Sequence, residues 1–158
     1  MNIKLKKIKD DNFSCIPKLF EDNNFYFKTK RPESLYEGNI KNLLLECKNK
    51  SFSIFVEDDL EGLFSAEKDL IEDNAVFINV RLKNMDLLLY NLELFFSEFK
   101  KILVDYHIIK MKVYDFDKIG KKVAEEMSFN IEAILREHIY KNNAYHDLII
   151  YSKTNKWE

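Results

Sequence analysis

The stretch from Ile108 to Tyr151 limits what this chain can fold into more than any other part of the sequence. Ile109, Met111 and Val113 alternate with polar residues, and this period-two pattern predicts a half-buried strand. A helical pattern follows, and then two more alternating segments joined by a polar turn. We therefore expect the chain to close with a strand, a short helix and a pair of strands.

Asp117 is the predicted N-cap of that helix, because its carboxylate can accept from the free amides of the first turn. The apolar face of the helix consists of residues at four-residue spacing, Ile119, Val123 and Met127. Gly120 lies inside the helix, where glycine lowers stability by about 0.5 to 1 kcal/mol relative to alanine. The glycine is therefore either tolerated or needed so that another group can approach the backbone closely. Ser128 ends the helix, and the strands at Glu132 to Tyr140 and Asp147 to Tyr151 are predicted to pair antiparallel.

An earlier strand, Val76 to Leu82, is predicted to lie parallel to the strand at Ile109 to Tyr114. A helix from about Asp86 to Lys100 connects the two, and connections of this kind join parallel strands in nearly all cases. Apolar residues cover most sides of this helix. It is therefore either buried in the core or paired with a second copy of the chain, as a homodimer.

The first half of the chain contains further predicted strands at Ile3 to Ile8, Phe52 to Val56 and Leu60 to Ala66. One helix is predicted from Asp10 to Asp22, and another begins at Pro32 to Ser34 and runs toward Cys47. Together these patterns predict one α/β (α+β) domain over residues 1–158. It has a mixed, mostly antiparallel twisted sheet with a central parallel pair and flanking helices.

Charge and composition argue against several classes of partner. Lys and Arg number 25 and Asp and Glu 27, and the net charge of -2 does not favour nucleic acid. No apolar run reaches the roughly 18 residues of a membrane helix, and the N-terminus lacks the apolar core of a signal peptide, so we expect a cytoplasmic protein without membrane contact. Cys15 and Cys47 lack metal-ligand spacing, so no metal site is predicted and both are expected to be reduced core thiols.

The closing stretch carries a set of residues found together in one known family. The set is Val113, Phe129, Glu132, Arg136, Glu137, Tyr145 and Asp147. It resembles the closing half of the GCN5-related N-acetyltransferases, in particular the branch that acetylates protein N-termini and small amines. Where that family has asparagine, glycine and glycine, this chain has Asp117, Ser128 and Ala133.

The resemblance implies acetyl-CoA as the acetyl donor. In the family, the fourth strand splays from the fifth and donates a backbone amide to the thioester oxygen, which here implies Val80 or Arg81. The residues implied to contact the coenzyme are Val80, Arg81, Leu82, Met85, Asp86, Leu87, Asp117 and Val123. Met85 and Leu87 stand near the glycines that would let backbone amides approach the pyrophosphate, and Asp86 adds a negative charge there, so weak or lost binding is expected.

The family residue that protonates the departing thiol falls on Ala124 or Gly120, and neither side chain can donate. Tyr114 and His107 are the candidate catalytic residues. Two hypotheses follow. The chain is an acyl-CoA-dependent N-acyltransferase acting on a small-molecule amine or a peptide N-terminus, or it keeps this fold as a catalytically inactive binding or protein-interaction module.

Overall fold

The computed structural model describes residues 1–22, 25, 27, 37–45 and 49–155, and these form a seven-stranded sheet. The strands are β1 (Ile3–Lys7), β2 (Asn49–Val56), β3 (Asp59–Lys68), β4 (Ala75–Leu82), β5 (Ile108–Tyr114), β6 (Asn130–Lys141) and β7 (Ala144–Thr154). The helices are α1 (Glu37–Leu45), α2 (Met85–Tyr90), α3 (Leu92–Leu103) and α4 (Lys118–Glu126). The strand order is β1-β2-β3-β4-β5-β7-β6. In this part of the chain, no helix is long and apolar enough to cross a membrane.

The central strands confirm the predicted topology. β4 pairs with β5 in parallel, from Ala75 opposite Ile108 to Ile78 opposite Met111. The other strand pairs are antiparallel, including the predicted closing hairpin of β6 and β7. The parallel register ends at Ile78 and Met111, although both strands continue for several residues.

Two apolar cores lie on opposite faces of the sheet, as neighbouring residues of β3 show. Phe64 belongs to the core under α2, α3 and α4, where its ring stacks on Phe99 at a centroid distance of 4.2 Å. Leu63 points the other way, into a core formed with the N-terminal segments and α1. The N-terminal core covers the β1–β3 side of its face, and the β4–β7 side of that face carries an open groove.

The predicted helix from Asp86 to Lys100 was wrong in its continuity, because two helices meet at Asn91. The Asn91 side chain donates to the Leu87 carbonyl at 2.9 Å, and its backbone amide donates to the Leu88 carbonyl. These bonds replace the regular helical bond at that point. The apolar face of α3 is buried in the core, which is the first of the two predicted fates.

The predicted helix from Asp10 to Asp22 is instead two 3-10 segments, Asp10–Asn12 and Ile16–Glu21. Pro17 explains the break, because a proline ring inside a continuous α-helix would clash with the carbonyl four residues earlier. Cys15, expected in the core, is exposed, while Cys47 lies outside the described residues. The predicted start of the second helix, at Pro32 to Ser34, also lies outside them.

The C-terminal end of α4 explains the sequence pattern at Ser128. The Phe129 amide donates to the Ala124 carbonyl at 2.9 Å and the Ser128 amide to the Glu125 carbonyl at 3.0 Å, which is the Schellman arrangement. Ser128 has φ 64° in this turn, a left-handed conformation that favours glycine. The family glycine that Ser128 replaces therefore has a backbone role.

We predict that Ser128→Gly raises the free energy of unfolding by about 0.5 to 1 kcal/mol, because glycine adopts this conformation without strain. Urea denaturation monitored by circular dichroism measures the change. Ser128→Ala is the control and should not stabilise, since alanine keeps the β-carbon. Equal stability of all three proteins would contradict the explanation.

Candidate functional site

A narrow cleft opens where β4 and β5 stop pairing. Its walls are formed by Val80, Arg81 and Met85 on the β4 side and by Val113, Asp117 and Val123 on the β5 side. The cavity measures about 40 Å³. Since a cavity needs about 10 to 15 Å³ to hold one water, the cleft has room for a few waters and not for a pantetheine arm.

The backbone of β4 presents a donor to this cleft. The Lys83 amide donates to the Glu61 carbonyl of β3 at 2.7 Å. Successive amides of a strand point to opposite sides, so those of Leu82 and Val80 face the cleft and that of Arg81 faces β3. The Leu82 amide donates to the Met85 sulfur at 3.4 Å. Of the two amides suggested by the resemblance, the geometry therefore favours Val80.

An ion pair crosses the cleft between its two walls. The Arg81 guanidinium lies 2.6 Å from one carboxylate oxygen of Asp117, and the two side chains are 13% and 11% exposed. The other carboxylate oxygen accepts from the Gly120 amide at 2.9 Å, which confirms Asp117 as the N-cap of α4. A β-carbon on Gly120 would collide with this carboxylate, so the glycine allows the close approach of Asp117. Arg81 and Asp117 together narrow the entrance to the splayed strands.

The structure brings together five of the residues implied to contact the coenzyme, namely Val80, Arg81, Met85, Asp117 and Val123. Leu82 is buried beside them and Leu87 is partly buried against the core. Asp86 is exposed on the first turn of α2, where its amide donates to Asn84. Asp86 and Leu87 do not line the cleft.

The two candidate catalytic residues lie at opposite ends of β5. Tyr114 is at the carboxyl end of the strand, beside the cleft, and burial raises the pKa of its hydroxyl. His107 is exposed before the first residue of β5, where its amide donates to the Asn74 carbonyl. The seven residues of β5 separate them by roughly 20 Å at about 3.3 Å per residue. The geometry thus places Tyr114 near the cleft and His107 away from it.

An open groove lies on the other side of the splayed strands, with a volume of about 760 Å³. Its floor includes Phe77, Asn79, Lys110, Lys112 and Tyr114. Asn79 and Lys112 line both this groove and the cleft, so the two cavities meet at these side chains. Sequence reasoning missed this pair, although their alternation with the apolar residues of β4 and β5 places them on the groove face.

A charged cluster fixes one end of the groove. The Lys110 ammonium lies 3.2 Å from Asp69, 2.5 Å from Glu72 and 3.5 Å from Glu132. Burial alone would lower the pKa of Lys110, but the hydrogen bonds that it donates to Glu72 and Asp69 and the charge of Glu132 leave that pKa raised. Lys110 therefore stays protonated and ties the turn between β3 and β4 to β5.

The residues that carried the family resemblance at the closing hairpin have structural roles. Asp147 accepts from the Glu137 amide at 3.0 Å and from Arg136 at 2.8 Å, and these bonds keep its pKa below the usual range. They hold an irregular turn of β6 in which Glu137 has φ 47°.

Among the described residues, no group of three or more His, Cys, Asp and Glu side chains could hold a metal ion.

No family model matches the sequence, and no curated protein matches it. Solved structures match nearly the whole chain. RimL, a ribosomal-protein alpha-N-acetyltransferase in complex with coenzyme A, is 17% identical, with a TM-score of 0.75 over 98% of this chain and 94% of its own. A Salmonella typhimurium acetyltransferase that modifies the N-terminal serine of a ribosomal protein is also 17% identical, with a TM-score of 0.71 over 98% and 95%.

Mutant forms of the spermidine/spermine N-acetyltransferase SpeG from Vibrio cholerae match as well, at 15% identity and a TM-score of 0.70 over 96% of this chain and 93% of theirs. The chain therefore has the fold of the GCN5-related N-acetyltransferases. The resemblance stated from the closing stretch is confirmed at the level of the fold.

We predict that acetyl-CoA binds the wild-type protein with a Kd above about 100 μM, and that Asp117→Asn tightens binding by about five- to a hundred-fold. Asparagine can still accept from the Gly120 amide, but it removes the negative charge that holds Arg81 across the cleft. It also offers a donor to a ligand carbonyl. Isothermal titration calorimetry measures both values.

The exposed Asp105→Asn is the matched control for the lost charge and should leave the Kd unchanged. Two results would count against this account. Low-micromolar binding by the wild-type protein would mean that the cleft is not narrowed as described. An unaltered isotherm for Asp117→Asn would mean that Asp117 only caps α4.

Proposed function

We propose that this protein is an acyl-CoA-dependent N-acyltransferase that moves an acetyl group from acetyl-CoA to the primary amine of a small molecule or a peptide N-terminus. The observation that carries the proposal is the opening between β4 and β5, which connects a cleft containing the Val80 amide with a groove on the opposite face. Two reactants could enter from opposite faces and meet there.

The residues of the cleft fit part of a coenzyme site. A backbone amide aimed into the cleft can donate to a carbonyl oxygen, and Arg81 supplies a positive charge near the entrance. Arg81 and Asp117 must separate before a pantetheine arm can enter, and the Met85 side chain must move. The coenzyme supplies an acetyl thioester when bound.

In the proposed reaction, the Val80 amide stabilises the negative charge that develops on the thioester oxygen during attack by the amine. The carbon–sulfur bond breaks as the carbon–nitrogen bond forms, and the amine gives up one proton. Tyr114 lies in the groove beside this point, and its raised pKa keeps the hydroxyl protonated at neutral pH. It can therefore donate a proton to the departing thiolate. Water in the groove receives the proton from the amine and returns one to the Tyr114 phenolate.

The alternative is an inactive module that keeps the fold. The observation that favours it is the closed state of the cleft, in which an ion pair and the Met85 side chain occupy the space between the strands. Ala124 is also fully buried and has no proton to donate. Binding of acetyl-CoA without transfer to any amine would support this alternative.

We predict acetyl-CoA-dependent acetylation of at least one primary amine in a panel of spermidine, free amino acids and a peptide with an N-terminal serine. Thiol release, measured with a chromogenic thiol reagent, and the mass of the product report the reaction. Val80→Pro should lower kcat about 10²- to 10³-fold, because it removes the proposed oxyanion donor. That amide faces away from β3, so the strand pair keeps its hydrogen bonds.

Val80→Ile keeps the amide and should keep most of the activity. Circular dichroism establishes that both variants are folded. Full activity in a folded Val80→Pro variant would exclude the assigned donor. Acetyl-CoA binding without transfer to any amine in the panel would exclude the proposed function.

A further inference from the structure

The two lysines on the groove side of β5 have opposite electrostatic surroundings. Lys110 is 7% exposed and is surrounded by the three carboxylates of the charged cluster. Lys112, two residues further along the same face, is exposed and forms no ion pair with any described residue. Its ammonium lies 4.6 Å from the centre of the Phe77 ring. The positive charge of Lys112 is therefore available to a ligand in the groove.

Lys112 occupies the point where the reacting groups would meet. It lines both the cleft and the groove, together with Asn79, whose side-chain amide has no hydrogen-bond partner among the described residues. An ammonium near this point disfavours a second ammonium, because like charges repel at short distance. A polyamine would bring several positive charges to Lys112.

We propose that the groove selects acceptors that carry a carboxylate next to the amine, and that Lys112 and Asn79 bind this carboxylate. This inference rests on the proposed function. A carboxylate accepts from both an ammonium and a side-chain amide, so the two side chains can bind the same group. The contact would place the neighbouring amine at the junction of the cleft and the groove. The bound carboxylate would also neutralise the charge of Lys112 beside the amine.

The rest of the groove points to an apolar substituent on the acceptor. The floor continues from Lys112 across β7 and β6 through Ile150 and Ala133, with Leu148 and Leu135 in the next row. Leu70 at the rim is 84% exposed, on the turn that Lys110 ties down. Most of the exposed lining area of the groove is apolar, although charged side chains such as Glu67, Lys68 and Asp69 also line it. A concave site of about 760 Å³ with mostly apolar walls is typical of small-molecule sites. The class of acceptor is therefore an apolar α-amino acid with a free carboxylate.

Binding of the expected product class tests this selection without requiring turnover. The probes are N-acetylleucine and its carboxamide, N-acetylleucinamide, titrated into the full-length protein by NMR with the Asn79 and Lys112 amides as reporters. We expect wild-type protein to bind the acid at least about five-fold more tightly than the amide. Lys112→Met should abolish the difference, and Lys112→Arg should preserve it. Lys50→Met, an exposed lysine on β2, is the control for lost charge and should behave as wild type.

Equal affinity for the acid and the amide, or no binding of either, would overturn the inference. So would a preference for the acid that survives in Lys112→Met. The transfer assay separates this inference from the proposed function. Acetylation of spermidine but not leucine would leave the acyltransferase in place and reject the carboxylate site. Selective binding of N-acetylleucine without acetyl transfer would support the carboxylate site and reject the proposed acyltransferase.

Discussion

The central parallel strands hydrogen-bond over only part of their length, and the geometry of the candidate site depends on this. β4 and β5 pair up to Ile78 and Met111 and then diverge, and α2 and α4 pack against each other beyond the ends of the two strands. Divergence removes the partner of the β4 backbone, which leaves the Val80 amide directed into the cleft. The divergence also opens the sheet, so that Asn79 and Lys112 line both the cleft on one face and the groove on the other face.

Charge pairing then determines how much of this opening is accessible. Arg81 and Asp117 neutralise each other across the cleft, and Lys110 is neutralised by the turn between β3 and β4. Lys112 is not paired in the described part of the chain, and it lies where the two cavities meet. The described contacts thus combine a narrowed cleft on one face with an open groove on the other. A weakly bound donor and a selective acceptor would account for both features.

Much of the fold could be predicted because periodicity reports which face of an element is buried. The alternation in β4 and β5, the spacing in α4 and the Asp117 cap all appear in the structure as expected. The break at Asn91 could not be read from apolar spacing, because it depends on a side chain competing for a backbone carbonyl. The break before Pro17 could not be read from apolar spacing either, because it depends on a steric clash of the proline ring.

The site was less predictable than the fold, because it depends on distances between strands remote in sequence. Asn79 and Lys112 are 33 positions apart, and only the divergence of β4 and β5 brings them to one opening. The matched family residues at the closing hairpin, Arg136 and Asp147, turned out to bond with each other and to shape β6. Matching motif residues therefore identified the fold while giving little information about chemistry.

The central claim is that the divergence of β4 and β5 forms the coenzyme site. An NMR titration of ¹⁵N-labelled protein with acetyl-CoA tests it most directly. The account predicts that the largest shifts occur at the amides of Val80 to Leu82 and of Asp117 to Gly120, which flank the cleft. Saturable shifts confined to another surface, such as the cavity between α3 and the end of α4, with these amides unchanged, would contradict it.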